Sequence, residues 1–217
     1  MAQVQDRWLH PGPQPNGMQA VDDGLWIIDQ TDNHLYKLRY EDGVVLERWP
    51  TETEHSSGVT VGDGHLWVAS TYSCHIFKLD YQGRTVAKYD TPGKGVVEFA
   101  PPDRQRVTGA HGLEWVDGKL WMAVPPAKTV YQVDPDTWEV LHSFPTPGNR
   151  PHGIAWDDGT LWCADTGMGV IHRLDPESGR VLEEIQVAEP EVHGMTLREG
   201  LLWFCCAQTR RVCTVST

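Results

Sequence analysis

The stretch RPHGIAWDDGTLWCADTGMGVIHRLDPESGRVLEEI, from Arg150 to Ile185, is one complete copy of a unit that the chain repeats. It contains four short segments rich in β-forming residues, HGIAW, TLWCAD, GVIHRL and RVLEEI. The turn sequences DDG, TGMG and DPESG separate them. Four strands in about 41 residues are the size and content of one blade of a β-propeller.

The unit recurs five times in one register. A glycine opens the first strand of each copy, with spacings of 41, 54, 41 and 41 residues: Gly17, Gly58, Gly112, Gly153 and Gly194. The longer spacing contains an insertion of 13 residues, within 91–110. A tryptophan follows each glycine by nine residues: Trp26, Trp67, Trp121, Trp162 and Trp203. Because a unit of this size does not bury its apolar face alone, we expect the units to stack with the tryptophans packed between them.

The N-terminal segment has the phase of a fourth strand. Val4 precedes Gly17 by 13 residues, the spacing that separates Val45 from Gly58 and Val181 from Gly194. We therefore expect Val4–Trp8 to pair with the strand near Arg211–Val215 and to complete the last blade, which removes exposed sheet edges.

The predicted fold is thus all-β. It is a five-bladed β-propeller of four-stranded antiparallel blades, closed by the N-terminal strand, with residues 1–217 as one domain. The insertion joins a fourth strand to the next first strand, so it either covers the mouth of the channel or is a tolerated surface loop.

Composition restricts the partners and the compartment. The chain has 217 residues, of which 40% are hydrophobic and 22% charged, as in a soluble globular protein. A net charge of -12 disfavours nucleic acid and anionic membranes as partners, since both require basic surface. The sequence shows no secretion signal and no apolar run long enough to span a membrane. Five cysteines without a CxxC motif do not suggest a disulfide framework. We expect a cytoplasmic protein that acts on a small molecule.

The residue before each repeat glycine begins an innermost strand, so the five equivalent side chains should surround the channel axis. In chain order they are Asn16, Ser57, His111, His152 and His193. Three imidazoles on consecutive blades, with Asn16 next around the ring, predict a site for a divalent metal ion such as zinc, iron or manganese. The alternative is that the histidines are structural and hydrogen-bond to neighbouring blades.

Carboxylates occur close to these histidines in sequence. Glu191 lies two residues before His193, and Glu114 lies three residues after His111. Asp29 and Asp165 end second strands. We expect His111, His152, His193, Glu191, Asn16 and Glu114 to supply metal ligands, with the identity of the metal (magnesium, manganese, zinc or iron) left open.

The segment PTPGNRPHGIAW followed by LWCAD resembles a blade of the streptogramin B lyases, which open a depsipeptide ring by metal-assisted elimination. Their chemistry depends on a histidine in an R-P-H segment and on an E-P-H segment one blade later. Here the matching residues are His152, in Arg150-Pro151-His152, and the pair Glu191 and His193. The resemblance implies His193 as general base, Glu191 as metal ligand and His152 as ligand or second base. A further metal-binding glutamate of the family falls near Cys206, and that family has seven blades.

Two other propeller families share some of these features. Pro15-Asn16-Gly17 resembles the PNG segment of the gluconolactonase and regucalcin family, whose asparagine binds a divalent metal. The segment from Gly112 to Gly118 resembles one in the five-bladed glutaminyl cyclases, in which His111 replaces a substrate-binding asparagine.

The sequence therefore favours a metal-dependent lyase that abstracts a proton, or a hydrolase that activates water, at the top of the channel. The alternatives are a glutaminyl-cyclase-like acyltransferase without metal and a non-catalytic binding propeller.

Overall fold

Five sheets of four antiparallel strands follow one another around a ring in the computed structural model of the protein, which describes residues 3–97, 101–188 and 190–217. The first strand of each sheet contacts the first strands of its two neighbours, so these five strands surround a central channel. This confirms the predicted all-β, five-bladed propeller.

Within blades 1 to 4, the strands follow chain order from the channel outward. Blade 1 consists of Pro15–Val21, Gly24–Asp29, His34–Leu38 and Val45–Pro50, and blade 2 of Ser56–Gly62, His65–Ser70, His75–Leu79 and Thr85–Asp90. Blade 3 consists of Leu113–Val116, Lys119–Val124, Thr129–Val133 and Val140–Pro145, and blade 4 of Pro151–Asp157, Thr160–Asp165, Val170–Leu174 and Val181–Gln186.

Blade 5 is built from both ends of the described chain. Its inner strands are Met195–Arg198, Leu201–Cys205 and Arg211–Ser216, and its outermost strand is Gln5–Leu9. In the pairing, Gln5 is opposite Thr214 and Leu9 is opposite Arg211. The predicted closure is therefore confirmed, with the strand beginning one residue later than expected.

The core lies between the blades, where the repeat tryptophans pack. Trp162 is fully buried and belongs to a cluster that includes Met195, Leu202 and Phe204 of the next blade. Its indole nitrogen donates to the Asp157 carboxylate at 3.0 Å. The structure thus confirms that the tryptophan repeat stabilises the contacts between neighbouring sheets.

The repeat glycines bring the first strands into close contact at the axis. A Cβ atom on any of four of them would lie within 2.5 Å of the carbonyl oxygen before the next glycine around the ring. These glycine and carbonyl pairs are Gly58 with His111, Gly112 with His152, Gly153 with His193, and Gly194 with Asn16. Because no side chain fits there, only glycine permits this approach. The same contacts hold the residues before the glycines beside one another.

The insertion forms a short hairpin above blades 2 and 3. Its strands are Gly95–Val96 and Val107–Thr108, and a 3-10 turn at Pro102–Arg104 precedes the second strand. The backbone amide of Gly109 donates to the carbonyl of Thr71 at 2.8 Å, which ties the hairpin to blade 2. Within the described ranges, no helix is long and apolar enough to cross a membrane.

Candidate active site

A cavity of about 280 Å³ opens at the end of the channel where the first strands begin. Its wall includes four of the five residues that precede the repeat glycines: Asn16, His111, His152 and His193. Arg150 and Gln208 line it beside blades 4 and 5, and Val97, Arg106 and Thr108 line it from the insertion. The predicted cluster of imidazoles therefore faces one cavity, and the insertion supplies part of its wall.

The three histidine rings lie against one another in blade order. The ring centroids of His111 and His152 are 4.2 Å apart, and those of His152 and His193 are 5.0 Å apart. The Nδ1 atom of His111 is 3.2 Å from Nε2 of His152, a hydrogen-bond distance. His152 and His193 are buried, whereas His111 is partly exposed to the cavity.

All three imidazoles are neutral at physiological pH. Burial lowers the pKa of His111 to about 3 and that of His193 to about 4, and it holds the pKa of His152 well below 6.5. The Arg150 guanidinium lowers all three values further, while the Glu191 carboxylate partly offsets the effect at His193. A neutral imidazole has one donor and one acceptor nitrogen, so the cluster contains both proton acceptors and proton donors.

The hydrogen-bond network assigns the protons. Nδ1 of His152 is 3.2 Å from the carbonyl oxygen of Pro151, which only accepts, so this nitrogen carries the proton. Nε2 of His152 then accepts from Nδ1–H of His111. Nε2 of His111 is left as an unprotonated nitrogen that makes no hydrogen bond to the described residues, on a side chain that lines the cavity.

In His193 the proton is on Nε2, whereas in His111 and His152 it is on Nδ1. Nδ1 of His193 faces the backbone amide of Ala207 at 3.5 Å, so the proton resides on Nε2. That nitrogen is 3.7 Å from a carboxylate oxygen of Glu191, which is too long for a hydrogen bond. The N–H of His193 therefore makes no hydrogen bond to that carboxylate.

Glu191 is fixed by two side chains that line the cavity. Arg150 donates to one carboxylate oxygen at 2.9 Å, and Gln208 donates to the other at 3.1 Å. The predicted pair of Glu191 and His193 is thus brought together. Cys206, near the position of a metal-binding glutamate in the streptogramin B lyases, is buried with a free thiol.

Asn16 and Ser57 differ in their access to the cavity. The side-chain amide of Asn16 donates to Gln30, while its buried carbonyl oxygen has no partner among the described residues. The hydroxyl of Ser57 instead accepts from Thr71 at 2.8 Å and does not line the cavity. Asn16 therefore belongs to the candidate site with the three histidines, and Ser57 supports the wall.

The other predicted carboxylates lie elsewhere. Glu114 is buried, accepts from the backbone amides of Trp115 and Trp156, and does not line the cavity. Burial raises its pKa to about 8, despite those hydrogen bonds. Asp29 contacts the His10 ring and accepts from the amide of Gln14. Asp165 accepts from the backbone amide of Arg150, so both aspartates hold loops in place.

The arrangement of donors does not fit a metal ion as it stands. Among the described residues, no three histidine, cysteine, aspartate or glutamate side chains are placed to hold one metal. His111 and His152 face each other, and Glu191 is engaged by Arg150 and Gln208. We therefore derive the chemistry of the site from the protein groups alone, and metal dependence stays a prediction.

Sequence reasoning did not identify the wall formed by Tyr72, His55 and Arg106. The His55 ring stacks on Tyr72 with centroids 3.8 Å apart, and the Arg106 guanidinium lies 3.7 Å from the centroid of the same tyrosine. Arg106 lies in the insertion, which has no counterpart in the other repeats. His55 and Tyr72 occupy repeat positions at which the other blades carry different residue types, so the periodicity did not single them out. The one indication in the sequence was the length of the insertion, which raised the possibility that it covers the mouth of the channel.

Comparison with known proteins places the chain in a family. A search of curated proteins found no match. Among solved structures, the fold is similar to glutaminyl cyclase from Myxococcus xanthus, with a TM-score of 0.77 and 12% identity over 99% of this chain and 95% of that one. A luciferin-regenerating enzyme gives a TM-score of 0.62 with 14% identity, over 100% of this chain and 96% of that one.

A third similar structure is a catalytically inactive histidine-to-alanine variant of virginiamycin B lyase from Staphylococcus aureus with quinupristin. Its TM-score is 0.58, with 19% identity over 96% of this chain and 68% of that one. At these identities the likenesses concern the fold alone. The sequence itself matches the virginiamycin B lyase family over residues 14–217. The chain therefore belongs to the virginiamycin B lyase family.

Proposed function

We propose that the protein is a lyase that removes a proton next to a carbonyl group of a small molecule and expels an oxygen leaving group. The observation that carries the proposal is the cluster of three neutral imidazoles on one cavity wall. Membership of the virginiamycin B lyase family supports elimination over hydrolysis as the reaction class.

In the proposed reaction His111 is the general base. Its Nε2 is unprotonated, and its other nitrogen is hydrogen-bonded to His152, which orients the ring. A proton from the carbon next to the carbonyl adds to Nε2, and the electron pair of the C–H bond moves toward the carbonyl oxygen to form an enolate. The enolate then re-forms the carbonyl, and the C–O bond on the adjacent carbon breaks as the carbon–carbon double bond forms. The leaving oxygen then takes a proton from the His111 imidazolium or from water.

His193 is the proposed hydrogen-bond donor to the carbonyl oxygen. Its N–H is not satisfied by Glu191 at 3.7 Å, and as a neutral donor it stabilises the negative charge that develops on that oxygen. Glu191, paired with Arg150, lies beside the His193 ring. This assignment gives His111 the role of base that the family resemblance implied for His193.

Exchange of substrate protons with deuterated solvent tests the proposal without requiring the natural substrate. We expect the wild-type protein to exchange the proton next to the carbonyl of cyclic and linear compounds that carry an ester oxygen on the adjacent carbon, and to release the unsaturated product, both measured by proton NMR. His111→Asn should abolish exchange. His193→Asn should slow it and still allow it, because the base remains. His142→Asn, on an outer strand, is the control.

Two results would contradict the proposal. One is exchange that survives in His111→Asn and is lost only in His193→Asn, which would return the base to the position implied by the resemblance. The other is cyclisation of a peptide with an N-terminal glutamine in the absence of any exchange, which would favour the acyltransferase alternative.

A further inference from the structure

The charge of the cavity wall is opposite to that of the protein. The chain has 30 acidic and 18 basic residues. Nevertheless, the described residues that line the cavity include Arg106 and Arg150 and no aspartate or glutamate. Arg150 is paired with Glu191, which lies just outside the lining. The positive charge available to a bound molecule therefore comes from Arg106.

Arg106 is held in a form suited to anion binding. It is exposed and makes no ion pair with a described residue, although the surface is rich in carboxylates. Its guanidinium lies 3.7 Å from the Tyr72 ring centroid, and the His55 ring stacks at 3.8 Å from the same centroid. Both cannot occupy one face of Tyr72, so the tyrosine is sandwiched between them.

Stacking uses the flat face of the guanidinium and leaves its in-plane N–H donors free. Two parallel N–H donors match the two oxygens of a carboxylate. Burial and the Arg106 charge lower the pKa of His55 to about 4, so the ring beneath the tyrosine is neutral. Arg106 is therefore the permanent cation of this three-layer stack.

A second, independent feature lies two residues further along the insertion. The hydroxyl of Thr108 is buried, lines the cavity and has no hydrogen-bond partner among the described residues. A buried hydroxyl without a partner is energetically costly, and a bound acceptor removes that cost. Arg106 and Thr108 thus both line the cavity, from one short strand and its preceding residue, and the Thr108 hydroxyl beneath the wall lacks a partner among the described residues.

We propose that Arg106 and Thr108 bind a carboxylate of the substrate, so that the substrate is a small carboxylic acid. The inference rests on the proposed function for its assumption that the cavity holds the substrate. The insertion is then the specificity element of the site, and it places an anion at the rim while the rest of the molecule faces the imidazoles.

Benzoate and benzamide are suitable probes, because they have nearly the same shape and differ in charge. We expect isothermal titration calorimetry to detect benzoate binding to the wild-type protein, and benzamide to bind at least tenfold more weakly. Arg106→Gln should weaken benzoate binding at least tenfold. Arg106→Lys should retain part of it, since lysine keeps the charge and loses the paired donors. Thr108→Val should weaken it to a smaller extent.

Arg198 provides a matched control. Its guanidinium lies 3.9 Å from the Tyr40 ring centroid, nearly the geometry of Arg106 on Tyr72, and it does not line the cavity. Arg198→Gln should leave benzoate binding unchanged. Equal binding of benzoate and benzamide, or equal effects of Arg106→Gln and Arg198→Gln, would overturn the inference.

The outcomes separate this inference from the proposed function. Benzoate binding that depends on Arg106, in a protein that exchanges no substrate protons, would support the carboxylate site and contradict the lyase. Elimination from neutral esters that Arg106→Gln leaves unaffected would support the lyase and overturn the carboxylate site.

Discussion

Lowering the pH should destabilise the protein through its buried histidines. Burial lowers the pKa of His193 to about 4 and that of His111 to about 3. A solvated histidine in the unfolded chain titrates near 6.5. Between these values the unfolded chain binds more protons than the folded one. The stability that comes from keeping these histidines neutral in the folded state is therefore fully present above about pH 6.5. It is lost as the pH falls toward 4.

The size of the effect follows from the same shifts. A proton bound by only the unfolded state costs about 1.4 kcal/mol of stability per pH unit. Between pH 6.5 and pH 5, each buried neutral histidine should therefore remove about 2 kcal/mol from the free energy of unfolding. The range ends at pH 5 because ordinary carboxylates begin to titrate below it. Burial raises the pKa of Glu114 to about 8, so this group adds stability as the pH falls through the same range, and only the difference between the wild type and a histidine variant isolates the histidine.

Urea unfolding followed by tryptophan fluorescence at several pH values measures this loss. His193→Gln should flatten the dependence of the unfolding free energy on pH by about 2 kcal/mol over that range. His65→Gln, at a surface turn, should leave the dependence as in the wild type. Parallel curves for the wild type and His193→Gln would show that His193 is not kept neutral by the fold, and would refute the reasoning.

Four further predictions concern the ring and the metal. Deletion of residues 1–9 should lower the urea midpoint and promote aggregation, because it exposes the edge of Arg211–Ser216; a deletion variant that unfolds like the full chain would contradict closure by this strand. Trp162→Ala should destabilise by about 3–5 kcal/mol in urea unfolding, and Trp162→Phe by less, whereas a loss of activity at unchanged stability would contradict the packing role. Gly153→Ala should lower the thermal midpoint, since its Cβ would meet the His193 carbonyl oxygen at 2.5 Å, and an unchanged midpoint would show that the strands separate freely. Elemental analysis of protein purified without a histidine tag tests the predicted metal: about one equivalent of a divalent ion per chain would support it, whereas activity that survives chelation would contradict metal dependence.

The repeat made much of this architecture predictable. A glycine and a tryptophan in fixed phase specify one packing contact per blade, and five copies in one register specify a ring. The residue before each glycine occupies the same place in every blade. The convergence of His111, His152 and His193 could therefore be inferred from spacing alone. The N-terminal strand was predictable for the same reason, because Val4 has the phase of the other fourth strands.

The repeat could not predict which carboxylates reach the cavity or which residues of the insertion line it. Glu114 follows His111 by three residues, which is about 10 Å along an extended chain and on the opposite side of the strand. Nearness in sequence therefore did not bring its carboxylate to the cavity. Arg106 and Thr108 reach the cavity because the hairpin folds back over blade 2, and that path depends on tertiary contacts such as the Gly109–Thr71 hydrogen bond.

The pairing of the N-terminal strand with Arg211–Ser216 in blade 5 also has a consequence for biosynthesis. Asp6 and Arg211 are partners although they are 205 positions apart, so this pairing forms only after Arg211 has left the ribosome. Until then, the nascent N-terminal strand has no sheet to join. His193 belongs to the blade that forms last, so a growing chain acquires its other imidazoles before the site is complete. Chains that end before residue 193 should therefore lack the complete histidine cluster even where four blades have already folded.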